Sequence, residues 1–218
     1  MTLDIKLDPN EARVFGVLVE KALTTPEQYP LTVNAATNGA NQKSNRDPVL
    51  SLSEDDVAVA LQHLEEKYMA RKVFPANSRV EKFCHNGKDA LNLDAAGLAV
   101  LAELLMRGPQ TPGDLRGRAS RMAPIDTLDQ LAAILTTLME RGYVERLPPL
   151  PGSRAERYVQ LLSPGLHPLG PPAGAYVATA APRVSAPGAA DLVQRVTALE
   201  AEVARLRDQL QGLIDRLD

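Results

Sequence analysis

The sequence predicts a mainly α-helical fold with small β wings. It is organised as two tandem winged helix-turn-helix domains plus a C-terminal coiled-coil helix. The first observation behind this is an internal repeat. Leu61, Leu64, Glu66, Lys67, Met69 and Ala70 recur 74 positions later as Leu135, Leu138, Glu140, Arg141, Tyr143 and Val144. After a connector one residue longer, Arg79-Val80-Glu81-Lys82-Phe83 returns as Arg154-Ala155-Glu156-Arg157-Tyr158. The second is the grammar of each copy, an amphipathic helix running into two short strands. The third is a heptad seam at the C-terminus. A repeat of this size means two copies of one small unit rather than one large domain.

The first domain is expected over residues 8–90. Asp8-Pro9 opens a helix, with Asp as cap and Pro in the first turn. Val14, Val17, Leu18 and Leu23 give that helix an apolar stripe, and Thr24-Thr25-Pro26 ends it. A second helix is read from about Thr32 to Ala40, then a polar connector from Asn41 to Pro48. Ser53, with Asp56 three places on, forms a capping-box pattern for a third helix that buries Val57, Ala60, Leu61 and Leu64. Residues 70–74 and 79–85 read as the two strands of a wing.

The second domain is expected over residues 93–163. Asp94 caps a helix with Leu98, Leu101, Ala102 and Leu105 inward, stopped by Gly108-Pro109. Thr111-Pro112 begins a short helix, and Arg116, Arg118 and Arg121 lead into a third at 127–141, closed by Gly142. Residues 144–147 and 157–162 form the second wing. The stretch 164–188 is rich in Pro, Gly and Ala and reads as a flexible linker. Residues 189–218 follow as a helix. There, Leu192, Leu199, Leu206 and Leu213 take the d positions of a heptad, and Val196, Val203 and Leu210 the a positions. β-Branched a with Leu at d favours a parallel dimer, so a homodimer through 189–218 is expected. The competing reading is a helix that folds back on its own domains.

Composition narrows the function classes. Net charge is −3, and no segment is basic overall: residues 1–90 hold 11 basic and 13 acidic side chains, and residues 91–165 hold 8 of each. Composition alone therefore gives no support to phosphate neutralisation. Aromatics are 4% with no Trp, which argues against a base-stacking platform. One cysteine, no stretch of about 18 apolar residues and no signal-peptide order at the N-terminus make a cytoplasmic protein the expectation, with no membrane partner.

The runs Leu7-Asp8-Pro9-Asn10-Glu11-Ala12-Arg13-Val14 and Glu20-Lys21-Ala22-Leu23-Thr24-Thr25-Pro26 carry a resemblance. So, above all, does Asn41-Gln42-Lys43-Ser44-Asn45-Arg46-Asp47-Pro48-Val49. Over about residues 7–163 the chain resembles the YceH-like family of uncharacterised bacterial proteins. That resemblance implies paired winged helices and no established activity.

Catalysis is not expected. His63, His85 and His167 lie far apart in sequence. Cys84 and His85 are strand neighbours and point to opposite faces. His63 with Glu66 is half a metal site at most and reads better as a solvated helix face. No Gly-rich phosphate loop is present, and no cofactor is expected.

Two non-enzymatic classes remain. A nucleic-acid-binding or transcription-regulatory protein would place a third helix in the major groove and a wing on the backbone. The second domain suits this better, through Arg116, Arg118, Arg121, Gln130, Thr136, Thr137, Arg154 and Arg157. The first domain's third helix is acidic, although its connector offers Lys43, Asn45 and Arg46 and its wing offers Arg79 and Lys82. The connector reads equally as a turn braced by its own side chains or as a binding surface. The repeated Arg-x-Glu of the wings reads as phosphate contact or as a local ion pair. The alternative class is a protein-interaction scaffold of the chromosome-segregation accessory type that does not touch DNA directly, an argument from fold analogy.

Overall fold

A computed structural model describes residues 5–74, 80–150 and 152–168. The chain is mainly helical with two small antiparallel hairpins, and one order of elements occurs twice. First come α1 (Pro9–Thr24), α2 (Val33–Ala40) and α3 (Glu54–Glu66), followed by β1 (Ala70–Val73) and β2 (Lys82–His85). After a short α4 (Gly87–Leu91) come α5 (Ala95–Arg107), α6 (Pro112–Ala119) and α7 (Leu128–Glu140), then β3 (Val144–Leu147) and β4 (Arg157–Gln160). The C-terminal heptads and Arg79 lie outside the described residues.

Local chemistry sets these boundaries. Asp8 and Ser53 each close a reciprocal capping box, with Glu11 and Asp56 respectively. Thr127 and Gln130 form a third; of the three, only the Ser53 box is expected from the sequence. Gly142 ends α7 at φ 74°, a left-handed position where glycine has no Cβ to clash.

The sheets are more than hairpins. Leu31 exchanges two backbone hydrogen bonds with Phe83 (3.0 and 2.7 Å), and Gln110 does the same with Tyr158 (3.1 and 2.9 Å). Each hairpin thus gains a one-residue third strand just ahead of the second helix of its half. Phe83 and Tyr158 are equivalent in the sequence repeat, so the repeat extends to the hydrogen-bonding pattern.

The sequence predicts a single apolar stripe on the first helix of each half, and here the structure differs. Residues 11–19 of α1 and 97–106 of α5 are buried without a break. A helix that is buried all round has neighbours on every side. Those neighbours include each other, because α1 and α5 form the most extensive helix–helix contact among the described residues. Gly16 lies against Met106 and Leu105 at this contact, where a Cβ would sit 3.1 Å from Met106 Cγ. One connected core therefore runs through both halves.

The start of the stretch read as linker is also packed. Leu7 N–H donates to Leu162 O at 2.8 Å, and Leu166 and His167 are buried. Residues 164–168 belong to the folded body.

Candidate nucleic-acid interface

The polar connector 41–48 is a clasp. Asn41 makes two hydrogen bonds with the backbone of Leu52, each 2.8 Å. Asp47 N–H donates to Met106 O at 2.8 Å, and Asp47 O meets His167 Nε2 at 2.6 Å. Arg13, fully buried, donates to Ala40 O at 3.3 Å and to Pro48 O at 2.7 Å. Burial, and then the charge of Arg46, pull its pKa down to about 10. Burial likewise lowers the pKa of His167, with Arg13 adding to the effect. These bonds brace the connector against α1, α5 and the segment at His167.

They also correct the expectation for Arg46. Its side chain is 0% exposed and pairs with Glu20, while Nε donates to Gly39 O at 3.0 Å. Arg46 is thus not a free donor for phosphate. Lys43 and Asn45 remain on the surface. Asn45, at φ 62°, turns its Oδ1 to accept from Arg107.

Among the second-half residues, Arg116 is half-buried and donates to Asp126 O at 3.1 Å, fastening α6 to the entrance of α7. Arg118, also half-buried, donates to Gln110 Oε1 at 2.6 Å. Arg121 is exposed. The Gln130 side-chain oxygen accepts from the N–H groups of Asp126 and Thr127, so its carbonyl belongs to the cap. Thr136 and Thr137 are exposed on α7, their hydroxyls donating back to Ala132 O and Ala133 O. Arg154 is exposed and Arg157 half-buried.

The repeated glutamates of the wings pair across their hairpins. Glu81 lies 2.9 Å from Lys72, and Glu156 lies 3.4 Å from Arg146. Lys72 and Arg146 are themselves equivalent in the repeat, so the pair is repeated whole. Both pairs are exposed and contribute little to stability.

What the fold adds is Arg107. It ends α5, where a cation suits the helix C-terminus, and its Nε lies 2.8 Å from Glu103 Oε1. Burial lowers its pKa, and the charges of Arg118, Arg121 and Arg46 add to that effect while Glu103 opposes it. Burial in turn raises the pKa of Glu103, against the pull of Arg107 and Arg118. Arg46 thus pairs with Glu20 and Arg107 with Glu103, while Arg118 and Arg121 add positive charge to the surroundings of Arg107. α3 offers the opposite: Glu54, Asp55 and Asp56 are exposed on its first turn, and hydrogen bonds from Ser53 hold the Asp56 carboxyl below its usual range.

Other clusters have local explanations. Ligand atoms of Asp8, Glu11 and His63 lie within 4.8 Å of one another. Asp8 and Glu11 are engaged in the capping box, and Lys67 lies 2.5 Å from Glu11. Cys84 is buried with Sγ toward Arg71 O, while the His85 ring packs on Phe15 and Tyr29. No helix among the described residues is long and apolar enough to cross a membrane.

Fold and site define a mainly helical class of protein with paired hairpins and one knot of arginines. Residues 7–153 match the family model described as "Protein of unknown function, DUF480". The chain is 44% identical over 221 residues to a UPF0502 protein of Aeromonas hydrophila, covering 99% of this chain and 98% of the relative. It is 49% identical over 160 residues to a UPF0502 protein of Koribacter versatilis, covering 72% and 74%. It is 42% identical over 219 residues to the UPF0502 protein YceH of Salmonella paratyphi A, covering 97% and 98%. The chain belongs to this YceH-like DUF480 family.

Proposed function

We propose that the chain is a non-enzymatic nucleic-acid-binding, transcription-regulatory protein built on tandem winged helices and dimerised by its C-terminal heptads. The proximity of Arg118, on α6, and Arg121, just beyond it, to Arg107 at the end of α5 carries this reading. It supplies locally the positive charge that the overall composition lacks. α7 presents Ala133, Thr136 and Thr137 toward solvent, with exposed Asp129 and Glu140 toward the two ends of the same face. Exposed Arg154 would contact the backbone from the wing.

The test is binding of the full chain to duplex DNA across a salt series. Arg121→Glu is expected to weaken binding severalfold and to reduce the salt slope by about 1 for each phosphate no longer neutralised. Arg46→Met should leave the salt slope unchanged, because that guanidinium is internal. Undetectable binding at low salt would defeat this reading and favour a protein-interaction scaffold.

In the tail, Leu206→Asp places a charge in the heptad seam. It is expected to halve the mass seen by light scattering. An unchanged mass would remove the coil from the proposal.

A further inference from the structure

The two halves treat one position differently. In the first half, the space between the start of α1 and the end of α3 is closed by Glu11. This carboxylate is 2% exposed, lies 2.5 Å from Lys67 Nζ and 3.2 Å from His63 Nδ1, and accepts from the Asp8 N–H at 2.8 Å. Glu11 stands three residues after its cap, where its own N–H donates to Asp8 at 2.8 Å.

The second half repeats the frame without the plug. Asp94 caps α5 as Asp8 caps α1, accepting from the N–H three residues on at 2.8 Å, and that residue is Gly97. On α7 the register of the repeat replaces His63 by Thr137 and Lys67 by Arg141. Where Glu11 fills the first half, the second half has an open cleft of 710 Å³, lined among others by Lys88, Leu93, Gly97, Ile134, Thr137 and Arg141. That volume lies within the range of small-molecule sites.

We propose that this cleft binds the carboxylate of a small organic acid, which takes the place that Glu11 occupies in the first half. Arg141 receives it as Lys67 receives Glu11. Arg141 is anchored by one bond from Nη1 to Leu91 O at 3.1 Å, and its remaining N–H groups suit a carboxylate. Lys88 adds a second cation. Leu93 and Ile134 offer apolar surface to the acid's hydrocarbon part. Two acidic side chains also line the cleft: Asp94 has Oδ1 engaged by the helix cap, and Asp89 neighbours Lys88 in the chain. The inference rests on the internal comparison and stands whether or not the protein binds DNA.

The test is titration of the full chain with hexanoate, followed by amide NMR. Saturable shifts centred on Gly97, Asn92 and Thr137 are expected. Arg141→Gln should weaken binding by about tenfold, as loss of a hydrogen bond to a charged group implies, and Arg141→Lys should weaken it less. Gly97→Glu restores the internal carboxylate and should abolish binding. A Cβ at Gly97 sits 3.2–3.3 Å from Asp94 and Leu93 atoms, so if that variant fails to fold, Arg141→Gln decides. Absence of saturable shifts, unchanged affinity in Arg141→Gln, or equal binding of hexylamine or hexanol would overturn the proposal.

Discussion

Glu20→Ala is expected to lower the free energy of unfolding by about 3 kcal/mol, far more than removal of a surface carboxylate costs. The reason is the partner left behind. Arg46 has no exposed side-chain surface, and Glu20 is 15% exposed. The pair is two-pronged, with Arg46 Nη2 2.5 Å and Nη1 3.3 Å from the two carboxylate oxygens. Without Glu20 the guanidinium keeps only the carbonyls of Gly39 and Asn45. These satisfy hydrogen bonds and leave the charge uncompensated. Removing both charges in Glu20→Leu, Arg46→Met should therefore cost less than Glu20→Ala alone. Urea denaturation with matched m-values measures both. A single-variant loss below about 1 kcal/mol would place this pair among ordinary surface ion pairs.

That pair marks where sequence reasoning stops. In the sequence Arg46 reads as a donor on a loop, a sound prior for a short polar string. Its burial depends on Glu20, 26 positions away, and on a connector whose path nothing local dictates. The helices and wings are legible because their signals are local: Asp8, Ser53 and Asp94 announce caps, and period-3.6 leucines announce faces. The packing of α1 on α5 leaves one local trace. The segment Ala95-Ala-Gly-Leu-Ala-Val-Leu-Ala-Glu-Leu-Leu-Met106 is apolar nearly all round, a mark of a helix with neighbours on every side. The bridge residues Leu31 and Gln110 leave none, since a one-residue strand has no periodicity to detect.

The candidate interface divides the same way. Arg118 and Arg121 are legible because they cluster in sequence. Arg107 is not, because it stands alone there, and only the fold brings it to Asn45 and to the α6 arginines. Gln130 reads as a base-contacting residue on an exposed face, yet the spacing of Thr127 and Gln130 is a capping-box signature that already assigns its oxygen elsewhere. The repeat that makes the fold readable also hides the difference between the halves. Shared leucines draw attention away from the unlike pair Glu11 and Gly97, which stand three residues after their respective caps.

Gly108→Ala is expected to cost about 3 kcal/mol, from two separable sources. Gly108 ends α5 with φ 72° and ψ −154°, a region that L-residues rarely adopt; the backbone strain alone amounts to about 1–3 kcal/mol. In addition, a Cβ there would lie 2.7 Å from His167 Cδ2 and 3.0 Å from Cγ. The imidazole cannot simply swing aside. It is 9% exposed, and its Nε2 holds Asp47 O at 2.6 Å, fastening residues 163–168 to the connector. Moving the ring leaves a carbonyl short of its partner and loosens the clasp that also carries Pro48 to Arg13. The sources separate in a double-mutant cycle, because His167→Ala removes the ring while leaving the backbone strain. Gly108→Ala should then cost only the strain in the His167→Ala background, about half its effect in the parent protein. Equal costs in both backgrounds would show that the ring is not what holds this position to glycine.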